Sequence, residues 1–163
     1  MTIGISFSKL FTFSSHDTSV RLPLDMLMQG AGHVHGFLKI EISGRNLPYL
    51  GYFGPDDVCF NTWIEELSHA VQTLGTAETA TYIFDEGEQG QPAFTFQRDG
   101  DFVCVSVTES LLSGATADPS YQNVRCLWLD FNSAVLSFFA CFRKALEEQC
   151  PQMAQTWWAK HAQ

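Results

Sequence analysis

The stretch Phe94-Thr95-Phe96-Gln97-Arg98-Asp99-Gly100-Asp101-Phe102-Val103-Cys104-Val105 decides the fold class of this chain. Asp-Gly between two alternating runs is a strong hairpin signal, because both residues tolerate the positive φ that a tight two-residue turn demands. Closing the turn on Asp99-Gly100 sets Arg98 opposite Asp101, Phe96 opposite Val103 and Phe94 opposite Val105. The two phenylalanines and two valines then share one face, with Thr95, Gln97, Phe102 and Cys104 on the other. An antiparallel sheet with one buried face follows.

Outward from the hairpin, residues 82–84 form a strand before the polar loop 85–91. Residues 109–123, rich in Ser, Gly, Ala, Asp and Pro, read as a surface loop, and 124–129 returns as a strand. In 33–43, Val34, Gly36, Leu38, Ile40 and Ile42 fall on one face and His33, His35, Phe37, Lys39 and Glu41 on the other, until Ser43-Gly44 ends the strand. The first dozen residues give one or two further strands, and 22–28 a helical turn or two. Phe60, Trp63, Ile64, Leu67, Val71 and Leu74 then recur at helical spacing, with Asn61, Glu65, Ser68, His69 and Gln72 on the opposite arc. Asp56 or Asp57 is placed to cap that helix and Gly75 to stop it.

A second helix, capped by Asp130, carries Phe131, Val135, Phe138, Phe142, Ala145 and Leu146 on one stripe. Asn132, Ser133, Arg143, Lys144, Glu147 and Glu148 face away from it. Pro151 opens a short terminal helix with Met153, Trp157 and Trp158. The expectation is one α+β domain over 1–163: an antiparallel β-sheet meander packed on one face by two amphipathic helices, with a short C-terminal helix.

Composition supports a packed core. Of 163 residues, 45% are hydrophobic and 13% aromatic, which excludes disorder, collagen-like repeats and coiled coil. Nine Lys and Arg against 18 Asp and Glu give a formal charge of −9. Such a chain repels nucleic acid and anionic membranes and favours a basic protein partner. Residues 1–15 lack a basic start, Lys9 interrupts their apolar pattern, and no apolar run approaches the roughly 18 residues of a membrane span, so a cytoplasmic location is expected. Cys59, Cys104, Cys126, Cys141 and Cys150 are odd in number and form no CxxC, and read as small buried hydrophobes in a reducing compartment.

Candidate chemistry is sparse. His33-Val34-His35 puts two imidazoles on one strand face, a chelating spacing whose third ligand would be His69 or Glu41. The simpler reading is a pair of partly exposed histidines, and neither a metal nor another cofactor is expected. His16-Asp17 beside Thr18-Ser19 does not make a triad, whose members meet in space rather than in sequence. Nucleophile elbow, P-loop and dinucleotide fingerprint are all missing, so no enzymatic activity is expected. The acids tell more. They concentrate in residues 56–101, where Arg98 is the only Lys or Arg. Asp56, Asp57, Glu65, Glu66, Asp85, Glu86 and Glu88 are the expected partner-binding carboxylates, with Tyr52 and Tyr121 as aromatic anchors.

The order of these features carries a resemblance. An aromatic-Gly-Pro-Asp-Asp lead-in precedes the helix with Trp63, and the acidic hairpin DEGEQGQPAFTFQRDGDFVCVSV follows. A strand then runs into DFNSAVLSFFACFRKAL and a Pro-initiated, Trp-bearing tail. Over residues 34–160 this layout resembles the small acidic immunity proteins encoded beside bacterial polymorphic toxins, including those of contact-dependent inhibition, Rhs and type VI secretion systems. The resemblance implies a non-enzymatic cytoplasmic protein that binds a cognate, basic toxin domain and occludes its active site. An effector adaptor or chaperone is the alternative, and a small metal-dependent enzyme around His33, His35 and His69 a lesser one.

Overall fold

A computed structural model describes residues 2–17, 19–27, 32–51, 54–86 and 90–162. It has α+β architecture with antiparallel pairing throughout, and the strands divide into two sheets rather than one meander. The first sheet contains β1 (Ile3–Phe13), β2 (Arg21–Pro23), β3 (His35–Ile42), β4 (Arg45–Asn46) and β5 (Val58–Cys59). Its order is β2-β1-β3-β4, with β5 also on β3. The second runs β6-β7-β8-β9 from Thr79–Phe84, Ala93–Asp99, Phe102–Thr108 and Val124–Leu127. Among the described residues three α-helices, α1 (Phe60–Gly75), α2 (Trp128–Gln149) and α3 (Pro151–His161), and a 3-10 turn at Leu24–Met26 complete the fold. No described helix is long and apolar enough to cross a membrane.

Both long helices bury the stripes their spacing marks, and they bury them against both sheets. Phe60 of α1 meets Phe7 and Phe142, at ring-centroid distances of 6.2 and 4.7 Å. Trp63, one turn on, meets Phe84 and Phe94 of the second sheet. Phe131 of α2 packs on Phe96, and Phe142 on Trp157 of α3. The sheets are latched where the β3–β4 turn meets β9: Ser43 Oγ donates to the Arg125 carbonyl at 2.7 Å, and the Arg45 guanidinium to that of Ser120.

The hairpin closes one residue later than its Asp-Gly pair suggests, which moves every cross-strand partner by two. Asp99 pairs with Phe102, Phe96 with Val105 and Phe94 with Val107. Gly100, at φ 59°, takes the first central position of the turn and Asp101 the second. That arrangement asks only the glycine for positive φ, whereas a turn on Asp99-Gly100 asks it of both residues. A shift of two preserves sidedness, so Phe94, Phe96, Val103 and Val105 are still buried together.

Three further expectations are corrected. Neither Asp56 nor Asp57 caps α1, because the chain pairs first with β3 as β5, and Cys59 is the N-cap. Asp130 lies within the first turn of α2, whose N-cap is Leu127, and there it favours the helix dipole without capping. Asn61 and Ser68 are buried, not on a solvent arc. In β1, Lys9 at φ 53° marks a bulge between Ser8 and Phe11. The bulged backbone presses on Gly36, where a Cβ would lie 2.9 Å from the Ser8 carbonyl oxygen.

Candidate partner-binding surface

The segment 55–61 organises one end of the molecule. Leu38 N–H donates to the Pro55 carbonyl, Phe60 N–H to that of Val34, and Cys59 sits across from His35. The chain therefore leaves an edge of β3 directly into α1, and the first two turns of the helix carry Thr62, Glu65 and Glu66 alongside the end of β6. Between them lies a groove of about 470 Å³ lined by Thr62, Glu66, Tyr82, Ile83, Asp85 and Glu86.

Each acid of this groove has a distinct environment. Glu66 accepts a 2.6 Å hydrogen bond from the Tyr82 hydroxyl. Burial, and then that carboxylate, push the Tyr82 phenol well above its ordinary range. Asp85 holds the loop that follows β8, accepting from Ser110 Oγ at 2.6 Å and from Leu111 N–H at 2.9 Å. Glu86 is half-buried, and its charge adds to burial in raising the Cys59 thiol. Glu65 is exposed. Around Asp85 stand three apolar side chains in water: Ile83 is 58% exposed, Leu111 90% and Leu112 70%. An acidic groove rimmed by exposed aliphatics suits a partner that brings both cations and apolar surface.

The other expected residues fall elsewhere. Asp56 is exposed on the turn before β5, while Asp57 is half-buried with its Oδ1 3.0 Å from His35 Nδ1. Tyr52 and Glu88 lie outside the described residues. Tyr121 is corrected outright. It is 3% exposed, its ring lies beneath the Arg45 guanidinium at 4.9 Å, and burial raises its hydroxyl to about 12. The long loop folds back along β8, with Val107 N–H donating to the Tyr121 carbonyl, and this turns the ring into the core. Asp99 and Asp101 stand at the far end of β6, whose Thr79 pairs with Asp99 and whose Phe84 pairs with Phe94. At a rise of about 3.4 Å per residue, the five residue steps of β6 between these pairs set the Asp99 turn roughly 17 Å from the groove acids.

Arg98 does not neutralise the groove. Its Nη1 donates to the Leu74 carbonyl at the end of α1, its Nε to Gly100, and its guanidinium stacks on Trp128 at 4.7 Å. The ligand expectations also change. His69 packs toward Tyr82 and Glu41 pairs with Lys39 at 2.8 Å, so neither joins His33 and His35. Cys59 does, with its Sγ 3.6 Å from His33 Nδ1.

Sequence reasoning missed Tyr82, Ile83, Leu111 and Cys59. The pair Leu111-Leu112 inside an otherwise polar loop was a visible signal. Cys59 had none, because its role depends on a two-residue strand. Comparison with protein-family models, curated proteins and solved structures finds no significant match.

Proposed function

We propose that this chain is an immunity protein that neutralises a basic toxin domain, using the groove between α1 and β6 as its principal contact. The observation that carries the reading is the convergence of Glu66, Asp85 and Glu86 on one groove, with Ile83 exposed in its wall. Acids some twenty positions apart in sequence become one negative site. A basic cleft that normally receives phosphates would meet carboxylates there, in charge-assisted hydrogen bonds. Exposed Ile83, Leu111 and Leu112 supply the apolar contact that charge alone lacks.

The roles divide among the acids. Glu65 and Glu86 are the steering charges. Glu66 and Asp85 are already committed to Tyr82 and to the Ser110–Leu111 turn, so they shape the groove as well as charging it. An effector adaptor would share a protein-binding surface of this kind but would leave its cargo active, and no feature of the groove favours that reading.

The test is co-expression with the toxin encoded beside this gene. Rescue of growth, together with a one-to-one complex whose association slows as salt rises, is the expected result. Glu65→Lys with Glu86→Lys should lower the association rate at low salt by about tenfold or more. Secretion of a toxin that remains active would instead make the protein an adaptor. An association rate unchanged by both reversals would remove the groove from the interface.

A further inference from the structure

We propose that His33, His35 and Cys59 form a binding site for a single zinc(II) ion, independent of the toxin-binding reading. The site is assembled by strand pairing. His35 and Cys59 are direct partners across β3 and β5, which sets their side chains on the same face. His33 lies two residues before His35, on that face again, its ring stacked near that of His35 with centroids 6.1 Å apart. One donor atom from each of the three residues lies within 4.8 Å of the others.

The distances suit the ion. Tetrahedral zinc, with bonds of about 2.0–2.1 Å to nitrogen and about 2.3 Å to sulfur, sets an N and an S donor about 3.6 Å apart. His33 Nδ1 and Cys59 Sγ are 3.6 Å apart. Two imidazoles and a thiolate form a borderline-soft donor set that zinc accepts and that calcium or magnesium does not.

The surroundings are those of a metal ligand. His35 Nδ1–H donates to the Asp57 carboxylate at 3.0 Å, which fixes the tautomer and leaves the Nε2 lone pair free. Phe13 and Phe11 flank the same imidazole at 4.7 and 5.8 Å between centroids, limiting its rotation. His33 is exposed and Cys59 half-buried, so the ion can enter from solvent and keep water as its fourth ligand. On binding, Cys59 loses its thiol proton to solvent as the Zn–S bond forms, and both histidines bind as neutral bases.

The experiment is zinc titration of the full chain, stripped with a chelator, against a chromophoric competitor, with cobalt(II) as a spectroscopic probe. One equivalent should bind, and cobalt should show a thiolate-to-metal charge-transfer band. His33→Ala and Cys59→Ser should each weaken zinc binding at least tenfold, and Cys59→Ser should abolish the band. Asp57→Asn should weaken binding roughly 10- to 100-fold. His69→Ala should bind as the parent does. His33 is exposed, so its variant retains the fold, verified by circular dichroism without metal. Failure to take up one equivalent overturns the proposal, as does unchanged affinity in both ligand variants, or uptake of copper(II) with zinc refused.

Discussion

Replacing Asn61 by Ala should destabilise the protein far more than its apparent place on a polar helix arc suggests. Asn61 Oδ1 accepts from Val34 N–H at 2.8 Å, and Nδ2 donates to His161 Nε2 at 3.0 Å. The orientation follows from chemistry, since a backbone N–H can only donate. One amide thus ties the start of α1 to the chain entering β3 and to the last turn of α3. Val34 is 0% exposed, so the variant leaves a buried donor unpaired, at a cost of about 1–3 kcal/mol. The loss of the His161 bond adds roughly 1 kcal/mol. A total near 3 kcal/mol corresponds to a Tm lowered by about 6–12 °C for a chain of this length. Thermal and urea unfolding followed by tryptophan fluorescence measure the total. Amide exchange at Val34, accelerated beyond that of Leu38, separates the local bond from general loosening. A Tm within about 2 °C of the parent, as for an ordinary surface substitution, would refute the three-way tie.

Other predictions concern charge and titration. Arg98→Ala removes two carbonyl contacts and the stack on Trp128, and should cost about 2–4 kcal/mol in urea unfolding without changing toxin association at low salt. Burial raises Tyr121 from 10.0 and Cys126 from 9.0 to about 12 each, so the unfolded chain ionises first. Their contribution to stability is complete below pH 9 and is lost as pH climbs toward 12, which a Tm series would show as an alkaline decline. Burial, and then Lys160, hold His161 below its ordinary 6.5. The sign there is opposite: stability is full above that value and falls on acidification, when the unfolded chain takes the proton first. Trp157 Nε1 is buried with no hydrogen-bond partner among the described residues, so Trp157→Phe should change stability by less than about 1 kcal/mol, against about 3–5 for Trp157→Ala.

Periodicity was enough for the elements whose burial is one-sided. The stripe of Phe60, Trp63, Ile64 and Leu67, the stripe of Phe131, Val135, Phe138 and Phe142, and the alternation of 34–42 all face the core as their spacing requires. Local chemistry placed the hairpin and its sides but not its register, because both candidate turns contain Gly100 and bury the same side chains. The loop composition of 109–123 gave no warning that Tyr121 turns inward.

What tertiary structure alone decided is which polar residues meet. Asn61 reads as solvent-facing from helix spacing, yet it is buried and bonded to the chain entering β3 and to the last turn of α3. Cys59 reads as an isolated thiol, yet β5 sets it opposite His35. Glu66 and Asp85 become neighbours only because α1 lies along β6. Hydrophobic burial is repeated at every turn of an element and so leaves a period in the sequence. A polar site is built once, from residues that elements far apart in the chain bring together, and a single meeting leaves no period to read.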